Sequence, residues 1–303
     1  MIERFIVDEQ NVLNRIDTYI ANKDEKYSRS LVQKLIKDGK VLLDGKVAKA
    51  SSKLQSGQVI TVDYEEKKND EIKGEDIPID IIYEDEDILV VNKPKNMVVH
   101  PALGNRTGTL VNAVLGRHEL SDINGDVRPG IVHRLDKNTT GVLVIAKNNL
   151  AHQKIAKQIE KHETKKEYIA LVKGIVSENE GVINMPIGRH QTDRKKMSVR
   201  KDGKEAITEF KVMKRFKEGY TLLKINLKTG RTHQIRVHLS HIGYPIVGDD
   251  TYSNGKNPFG VESQMLHAHR LEFTHPSTGE KVMFEAPLPE YFEKIISNLN
   301  ELL

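Results

Sequence analysis

Strand-like apolar runs follow one another along most of the chain, and this succession constrains the fold more than any other feature. From Ile81 onward these runs are DILVVNKP, VLVIAK, EYIALVKG, AITEFKVM, YTLLKINL and HRLEF. Many of them follow one another without a helix-length segment, whereas a parallel sheet needs a long crossover after each strand. The pattern therefore predicts an α+β domain with a mixed, largely antiparallel sheet.

Few helices are predicted in this part of the chain. Residues 149–162 and 232–242 have the apolar spacing of helices. Residues 289–302 predict a C-terminal helix with Pro289 in its first turn.

Residues 11–62 have the pattern of a small separate module. Apolar residues at positions 12, 13, 16 and 20 predict a first helix. A second helix is predicted from Ser28, as its N-cap, to Asp38, with Gly39 as the stop. The runs VLL, KVA and VITV then predict a small sheet. The apolar face of the second helix consists of Leu31, Val32, Leu35 and Ile36.

An acidic stretch joins two basic parts of the chain. Residues 1–62 carry 11 basic and 8 acidic residues, residues 63–87 carry 3 and 12, and residues 88–303 carry 33 and 23. Because residues 63–80 have little apolar content, they are predicted to form a linker, with one domain over residues 1–75 and another over 76–303. Two basic domains favour a polyanionic partner, although solvated surface charge gives the same composition.

Several classes of protein are excluded or disfavoured. The chain has no cysteine, which excludes disulfides, thiolate metal sites and cysteine nucleophiles. Its first residues, MIERFIVDEQ, are too charged for a signal peptide, and no apolar stretch approaches the ~20 residues of a membrane span. The motifs G-x-S-x-G, G-x-x-x-x-G-K-[ST] and G-x-G-x-x-G are missing, which disfavours hydrolases, nucleoside triphosphatases and dinucleotide enzymes. We expect a cytoplasmic protein without membrane contact.

The second predicted helix carries a cluster of basic residues. Its stretch SRSLVQKLIKDGKVLLDGK, preceded by Arg15 and Asp17 in the first helix, resembles the RNA-binding domain named after ribosomal protein S-four. The resemblance implies a small α/β domain that binds structured RNA through its phosphates and shape, with Arg29, Lys34 and Lys37 on the binding surface. A charged helical hairpin without a ligand is the alternative.

The densest polar segment lies in GIVHRLDKNTTGVLVIAK, residues 130–147. Two apolar runs bracket a polar turn, and Gly141 beside two threonines suggests a backbone turn that brings a ligand close. Asp136, flanked by Arg134, would remain ionised at neutral pH and serve as a nucleophile or as support for a developing cation. A turn residue that only caps backbone amides is the alternative.

HRLDKNTTG resembles the signature of the RluA-type pseudouridine synthases, H-R-L-D-x-x-[ST]-[ST]-G. Three further stretches resemble this family in the same order: KKEYIALVKG with its tyrosine, GRTHQIRVHLSHIGYPIVGDDTY with its arginine, and LHAHRLEFTHP. The stretch PIGRHQTDRKKMSVRKDGKEAITEFKV is most like the RluD-like branch, which also carries an S-four-type module in front. The resemblance implies the pseudouridine synthase fold over about residues 81–290.

The resemblance implies that uridine is isomerised to pseudouridine in 23S rRNA or in the precursor of the large ribosomal subunit. The N1–C1′ bond breaks, uracil turns and C5 bonds to C1′, so no cofactor or metal is needed, and nothing requires more than a monomer. Whether the aspartate attacks the sugar or acts on the base stays open. The implied roles are Asp136 as the essential carboxylate, Tyr168 against the flipped uracil, Arg231 paired with Asp136 beside a helix capped by Thr232, and Arg134 with His133 at the displaced base.

Residues 188–204 are rich in Lys and Arg, which favours a hairpin that binds phosphates beside the cleft over an exposed loop. The basic residues assigned to RNA are Arg189, Arg194, Lys195 and Lys196. Two alternatives remain for the whole protein: a catalytically silent RNA-binding assembly factor, and a synthase that acts on tRNA or another rRNA site.

Two histidine pairs are spaced for zinc, namely His238 with His241 and His267 with His269. Neither pair has a third ligand at matching spacing. Hydrogen-bonded or RNA-facing histidines are therefore favoured over a metal site.

Overall fold

Two units make up the chain, Met1–Asn69 and Asp70–Leu303. The computed structural model describes residues 2–24, 26–27, 29–64, 72–101, 105–118, 120–123, 128–253, 257 and 259–302. Ser28, the predicted N-cap, and residues 65–71 of the predicted linker lie outside the described residues.

The front unit packs two helices against a four-stranded antiparallel sheet. The strands are β1 (Ile2–Ile6), β2 (Val41–Leu43), β3 (Lys46–Val47) and β4 (Val59–Asp63), in the order β1-β4-β2-β3. The helices are α1 (Ile16–Ala21) and α2 (Arg29–Lys37). Val32, Leu35 and Ile36 of the predicted apolar face are buried, and Leu31 is partly buried against them.

The first helix begins later than predicted. Val12 and Leu13 are exposed and precede α1, because Leu13 adopts a left-handed conformation with φ of 66° and donates its N–H to Leu54. The apolar spacing at 16 and 20 belongs to the helix, where Ile16 and Ile20 are fully buried.

Arg15 and Asp17 form a structural pair in this unit. Arg15 Nε and Nη2 donate to the two carboxylate oxygens of Asp17 over 3.0 and 2.8 Å. Gln33 of α2 donates to the same carboxylate over 3.0 Å. Asp17 is fully buried, and the hydrogen bond from Arg15 lowers its pKa. Through the hydrogen bond from Gln33, Asp17 of α1 is linked to α2, the helix that carries the basic residues.

The second unit is built on a nine-stranded sheet. Its path is β5-β6-β7-β14-β8-β13-β12-β9, and β15 pairs with β14. The strands are β5 (Asp80–Glu84), β6 (Ile88–Lys93), β7 (Thr140–Ala146), β8 (Lys165–Lys173), β9 (Glu180–Asn184), β12 (Ile207–Phe216), β13 (Tyr220–Leu227), β14 (Leu266–Thr274) and β15 (Lys281–Glu285), and a separate hairpin contains β10 (Ile187–Arg189) and β11 (Met197–Val199). The helices are α3 (Leu110–Leu115), α4 (Asn149–Glu160), α5 (Gln234–His241) and α6 (Glu290–Ser297).

The predicted α+β class with a mixed, largely antiparallel sheet is confirmed. Every described strand pair is antiparallel except β7 with β14. The helices differ in detail from the prediction: α4 ends at Glu160, Pro289 directly precedes α6, and α3 was not predicted. No described helix is long and apolar enough to cross a membrane.

The central strands position the polar turn of residues 133–139. All seven residues of β7 are buried, and four of the six residues of β6 beside it are buried and apolar. Burial of such continuous apolar strands on both faces is the main stabilising contribution in this unit. The polar turn lies directly before β7, so a fully buried strand holds its end in place.

Candidate active site

One pocket of about 500 Å³ is lined by all five residues predicted to act on the target uridine, namely His133, Arg134, Asp136, Tyr168 and Arg231. This volume is in the usual range of small-molecule sites, about 300–1,000 Å³. The residues that line it include Arg134, Asp136, Lys166, Tyr168, Arg231 and Arg236.

Asp136 lies in the turn before β7, where its carbonyl accepts a hydrogen bond from Thr139 N–H. Its side chain is 18% exposed, and its Oδ2 accepts a hydrogen bond from Arg236 Nη1 over 3.1 Å. Oδ1 lies 3.9 Å from Nε2 of His233. The carboxylate is thus ion-paired on one side and accessible from the pocket.

Arg236 is held by a second carboxylate. Its Nε and Nη2 donate to the two oxygens of Asp249 over 2.7 and 2.9 Å, and both side chains are almost fully buried. Burial opposes ionisation of Asp249, but Arg236 and the N–H groups of Thr251 and Tyr252 hold its pKa below the usual value. A two-point ion pair of this kind fixes the plane of the guanidinium.

The predicted pairing of Arg231 with Asp136 is wrong. Arg231 lines the pocket, but its Nε donates to the carbonyl oxygen of Glu205 over 2.8 Å, and its N–H donates to Gln234 Oε1. The arginine paired with Asp136 is Arg236, five residues further along the same motif.

The physical reason lies at the start of α5. The helix begins at Gln234, not at Thr232, and the residue before it, His233, has φ of 56° and ψ of 18°. This left-handed conformation costs an L-residue about 1–2 kcal/mol. With this start of the helix, the side chain of Arg231 extends to Glu205, whereas Arg236 in the first turn of α5 bonds to Asp136.

Tyr168 stands near the start of β8 and lines the pocket, with 7% of its surface exposed. Burial, and secondarily the charge of Asp136, raise the pKa of its hydroxyl. The side chain is therefore a neutral phenol at ordinary pH, and its ring forms an apolar wall beside the carboxylate.

His133 and Arg134 both line the pocket but differ in their surroundings. Nε2 of His133 accepts the N–H of Val144 over 3.1 Å, so the ring is neutral and attached to β7. Burial, with a smaller contribution from Lys166, lowers the pKa of His133 to about 3. Arg134 is exposed at the wall of the pocket.

Gly141 does not form the ligand-binding turn that its neighbours suggested. It lies within β7 with φ of 114°, and a Cβ there would be 2.1 Å from the carbonyl oxygen of Ala268. The requirement for glycine comes from the close approach of β14. Thr140 beside it is buried and bonded to Nδ1 of His267.

The sequence did not reveal the role of Lys93, at the end of β6. This side chain is fully buried, and its Nζ donates to the carbonyls of Pro94, Met97 and Lys137 over 2.8, 2.9 and 3.1 Å. Burial lowers the pKa of Lys93 to about 7, against the opposing charge of Asp136. Because Lys137 follows Asp136 directly, Lys93 fixes the turn that carries the carboxylate.

The predicted RNA-binding residues lie on two surfaces. Arg29, Lys34 and Lys37 are exposed on α2, where Arg29 also lies 3.7 Å from Asp17. Arg189, Arg194 and Lys195 are exposed on the β10–β11 hairpin, and Lys196 is partly exposed there.

Three of the four histidines spaced for zinc form hydrogen bonds through their rings. His238 bonds to Thr208 and to the carbonyl of Met185 through its two ring nitrogens. His267 bonds to Thr140 and to the carbonyl of Ala286, which also accepts from His269. His238 and His267 are buried, so they do not face RNA.

The family model described as RNA pseudouridylate synthase matches residues 87–241, which include Asp136, Tyr168 and Arg236. The chain belongs to the RNA pseudouridylate synthase family. The S4 domain model matches residues 14–60 of the front unit. The synthase is thus an isomerase that acts on RNA, and its predicted resemblance to the RluA-type enzymes with an S-four module is confirmed.

Relatives of the synthase match nearly the full chain. It is 47% identical over 294 residues to "Uncharacterized RNA pseudouridine synthase YlyB" of Bacillus subtilis, covering 97% of this chain and 96% of the relative. It is 42% identical over 299 residues to "Ribosomal large subunit pseudouridine synthase D" of Pseudomonas aeruginosa, covering 95% and 92%. Among solved structures, it resembles "Human RNA Pseudouridylate Synthase Domain Containing 1" with a TM-score of 0.61 and 26% identity, over 76% of this chain and 91% of that one.

Proposed function

We propose that the synthase isomerises uridines of 23S rRNA and that Asp136 is the carboxylate on which the reaction depends. The observation that carries this proposal is the position of Asp136, paired with Arg236 and open to a nucleotide-sized pocket beside Tyr168. The choice of rRNA is supported by relatives named ribosomal large subunit pseudouridine synthase D, at 38–42% identity over nearly the whole chain.

The reaction needs charge stabilisation at the sugar and at the base. The N1–C1′ bond breaks and the C5–C1′ bond forms, while C5 loses a proton and N1 gains one, so atoms balance without an oxidant or reductant. As in glycoside cleavage, positive charge develops at C1′, and a nearby carboxylate can stabilise it or bond to it. Asp136 fits either role because Arg236 keeps one oxygen paired while the carboxylate stays accessible.

The target uridine must leave its base stack to reach this pocket, which costs a few kcal/mol. Stacking of a base on an aromatic ring contributes about 1–3 kcal/mol and offsets much of that cost. In this proposal Tyr168 provides the ring, and Arg134, which is exposed at the pocket wall, occupies the space that the base leaves.

Two basic surfaces supply affinity for the RNA in this proposal. Lys34 and Lys37 on α2, and Arg194 and Lys195 on the β10–β11 hairpin, are exposed and suited to phosphate contacts. Such contacts position the RNA without reading its sequence, which leaves the choice of uridine to RNA shape and to the pocket.

Mapping of pseudouridines in the RNA of a strain that lacks this gene tests the proposal. We expect specific pseudouridines to disappear from 23S rRNA and to return with the wild-type gene but not with Asp136→Asn. A loss confined to tRNA would show that the substrate is wrong, and return of the modification with Asp136→Asn would show that the role of Asp136 is wrong.

A further inference from the structure

Tyr252, in the segment between α5 and β14, joins the basic hairpin to the pocket through one hydroxyl group. Its Oη accepts the N–H of Met197, the first residue of β11, over 2.8 Å. The same oxygen lies 2.8 Å from Nδ1 of His233. The two rings meet edge to face, with centroids 5.6 Å apart.

The N–H of Met197 fixes the direction of one of these hydrogen bonds. A phenol has one hydrogen to donate, and the N–H of Met197 can only donate, so the oxygen of Tyr252 accepts there. The arrangement that also satisfies the tyrosine hydrogen has Tyr252 donating to Nδ1 of His233. Neutral His233 then carries its own hydrogen on Nε2.

Nε2 of His233 faces the reacting carboxylate. It lies 3.9 Å from Oδ1 of Asp136, beyond hydrogen-bond distance, and no hydrogen bond from it is found to any other described residue. His233 lines the same pocket. The N–H on Nε2 is therefore available to an acceptor that enters beside Asp136.

Tyr252 also contacts the partner of Asp136. Its ring lies over the guanidinium of Arg236, 5.1 Å from ring centre to Cζ. Its own N–H donates to Oδ1 of Asp249, the carboxylate that orients Arg236. One side chain thus contacts both groups that lie against Asp136.

We propose that Tyr252 is a positioning residue that fixes His233 as a hydrogen-bond donor, through Nε2, to an oxygen of the bound uridine. This inference rests on the proposed role of Asp136 at the reacting centre. The uracil O2 is bonded to C2, the ring atom next to N1, and it gains negative charge as the N1–C1′ bond breaks. A hydrogen-bond donor held in place in advance therefore stabilises the transition state more than the bound substrate.

The variant Tyr252→Phe tests this positioning because it keeps the ring over Arg236 and removes only the hydroxyl. In the full-length protein we expect the single-turnover rate at saturating RNA to fall about 10- to 100-fold, with the Kd for RNA changed less than about 3-fold. The matched control is Tyr220→Phe, whose ring packs on Phe259 at the opposite end of β13 from the pocket and should keep the wild-type rate.

A spectroscopic readout separates positioning from a loss of structure. Nitrogen-15 NMR of labelled histidine, assigned with His233→Gln, should show the Nε2–H form of His233 in the wild type and a mixture of tautomers in Tyr252→Phe. The amide of Met197 should also exchange faster in the variant, while amides of β7 should not. A shift in the pH dependence of the rate is expected as well, because Nδ1 becomes free to bind a proton in a ring surrounded by Asp136, Arg236, Asp249 and Arg134.

The outcomes distinguish this inference from the proposed function. A wild-type rate and an unchanged tautomer in Tyr252→Phe, with Asp136→Asn inactive, would overturn the inference alone. Full activity of Asp136→Asn would overturn the proposed function, and the tautomer of His233 would still decide whether Tyr252 fixes it.

Discussion

Nη1 of Arg236 lies 3.1 Å from Oδ2 of Asp136 and belongs to a guanidinium whose other two nitrogens are bonded to Asp249. Because Asp249 is fully buried and holds Arg236 at two points, the position of the third nitrogen is set before any substrate binds. Preorganised charge of this kind is the usual source of large electrostatic effects in catalysis.

The two arginines of the motif should therefore respond differently to lysine. Arg236→Lys keeps the charge but cannot bond to Asp249 at two points while reaching Asp136, so we expect the single-turnover rate to fall about 100-fold. Arg231→Lys can still donate to the carbonyl of Glu205, and its rate should change less than about 3-fold. Rapid-quench measurements at saturating RNA compare the two variants, and the reverse ranking would contradict the assignment.

Tyr168 should contribute chiefly through its ring to RNA binding. We expect Tyr168→Phe to bind target RNA like the wild type and Tyr168→Ala to bind about 10-fold more weakly, because base stacking is lost. Equilibrium binding measures this difference. The rate of the bound Tyr168→Phe complex then shows whether the neutral hydroxyl also takes part in proton removal. Full affinity and full rate in both variants would reduce Tyr168 to a packing residue.

His133 should make the stability of the second unit decrease as the pH is lowered. Its pKa is lowered to about 3 in the folded protein from an ordinary value of 6.5. Between these pH values the unfolded chain binds a proton that the folded protein does not, so the free energy of unfolding falls as pH decreases from 6.5. The contribution approaches about 1.4 kcal/mol per pH unit.

The variant His133→Gln isolates this contribution, since the amide oxygen still accepts the N–H of Val144 but does not titrate. The free energy of unfolding is measured in urea from pH 7 to pH 4.5, with hydrogen exchange of the β7 amides as the probe. Its pH dependence should be shallower for the variant than for the wild type. Equal slopes would show that His133 is not the neutral acceptor that the structure indicates.

The two basic surfaces should each contribute to the salt dependence of RNA binding. We expect Lys34→Gln with Lys37→Gln, and separately Arg194→Gln with Lys195→Gln, to reduce the slope of log Kd against log salt by about 1–2. The double variant Lys217→Gln with Lys281→Gln, exposed but outside both surfaces, is the control. An unchanged slope in either test pair would remove that surface from the RNA interface.

The fold class followed from the sequence because strand-like runs without intervening helices leave few arrangements open. The parallel contact of β7 with β14 did not follow, since it joins residues 127 positions apart through the close approach of Gly141 to Ala268. Local patterns carry information about pairing between neighbours in sequence, and this contact depends on the whole sheet.

Within the site, the motifs located Asp136 and Tyr168 in the pocket but assigned the wrong arginine to the ion pair. The motif contains two arginines, and the resemblance implied Arg231, beside a helix capped by Thr232, whereas the helix begins after His233 in a left-handed conformation. Lys93 and Asp249 are two site residues that the sequence did not indicate, because charged residues are usually exposed. Only the tertiary structure shows that Lys93 is buried beside the turn of Asp136 and that Asp249 is buried beside Arg236. The one indication in the sequence that Lys93 is buried was the apolar strand that it ends.

The release of tritium from C5-labelled uridine RNA by Asp136→Asn tests the central claim most directly. The substitution is nearly isosteric and removes the negative charge, so we predict no release above background, with the Kd for RNA within about 3-fold of the wild type. Asp80→Asn, an exposed carboxylate on β5, is the matched control and should release tritium at the wild-type rate. Release by Asp136→Asn at a rate near that of the wild type would contradict the account.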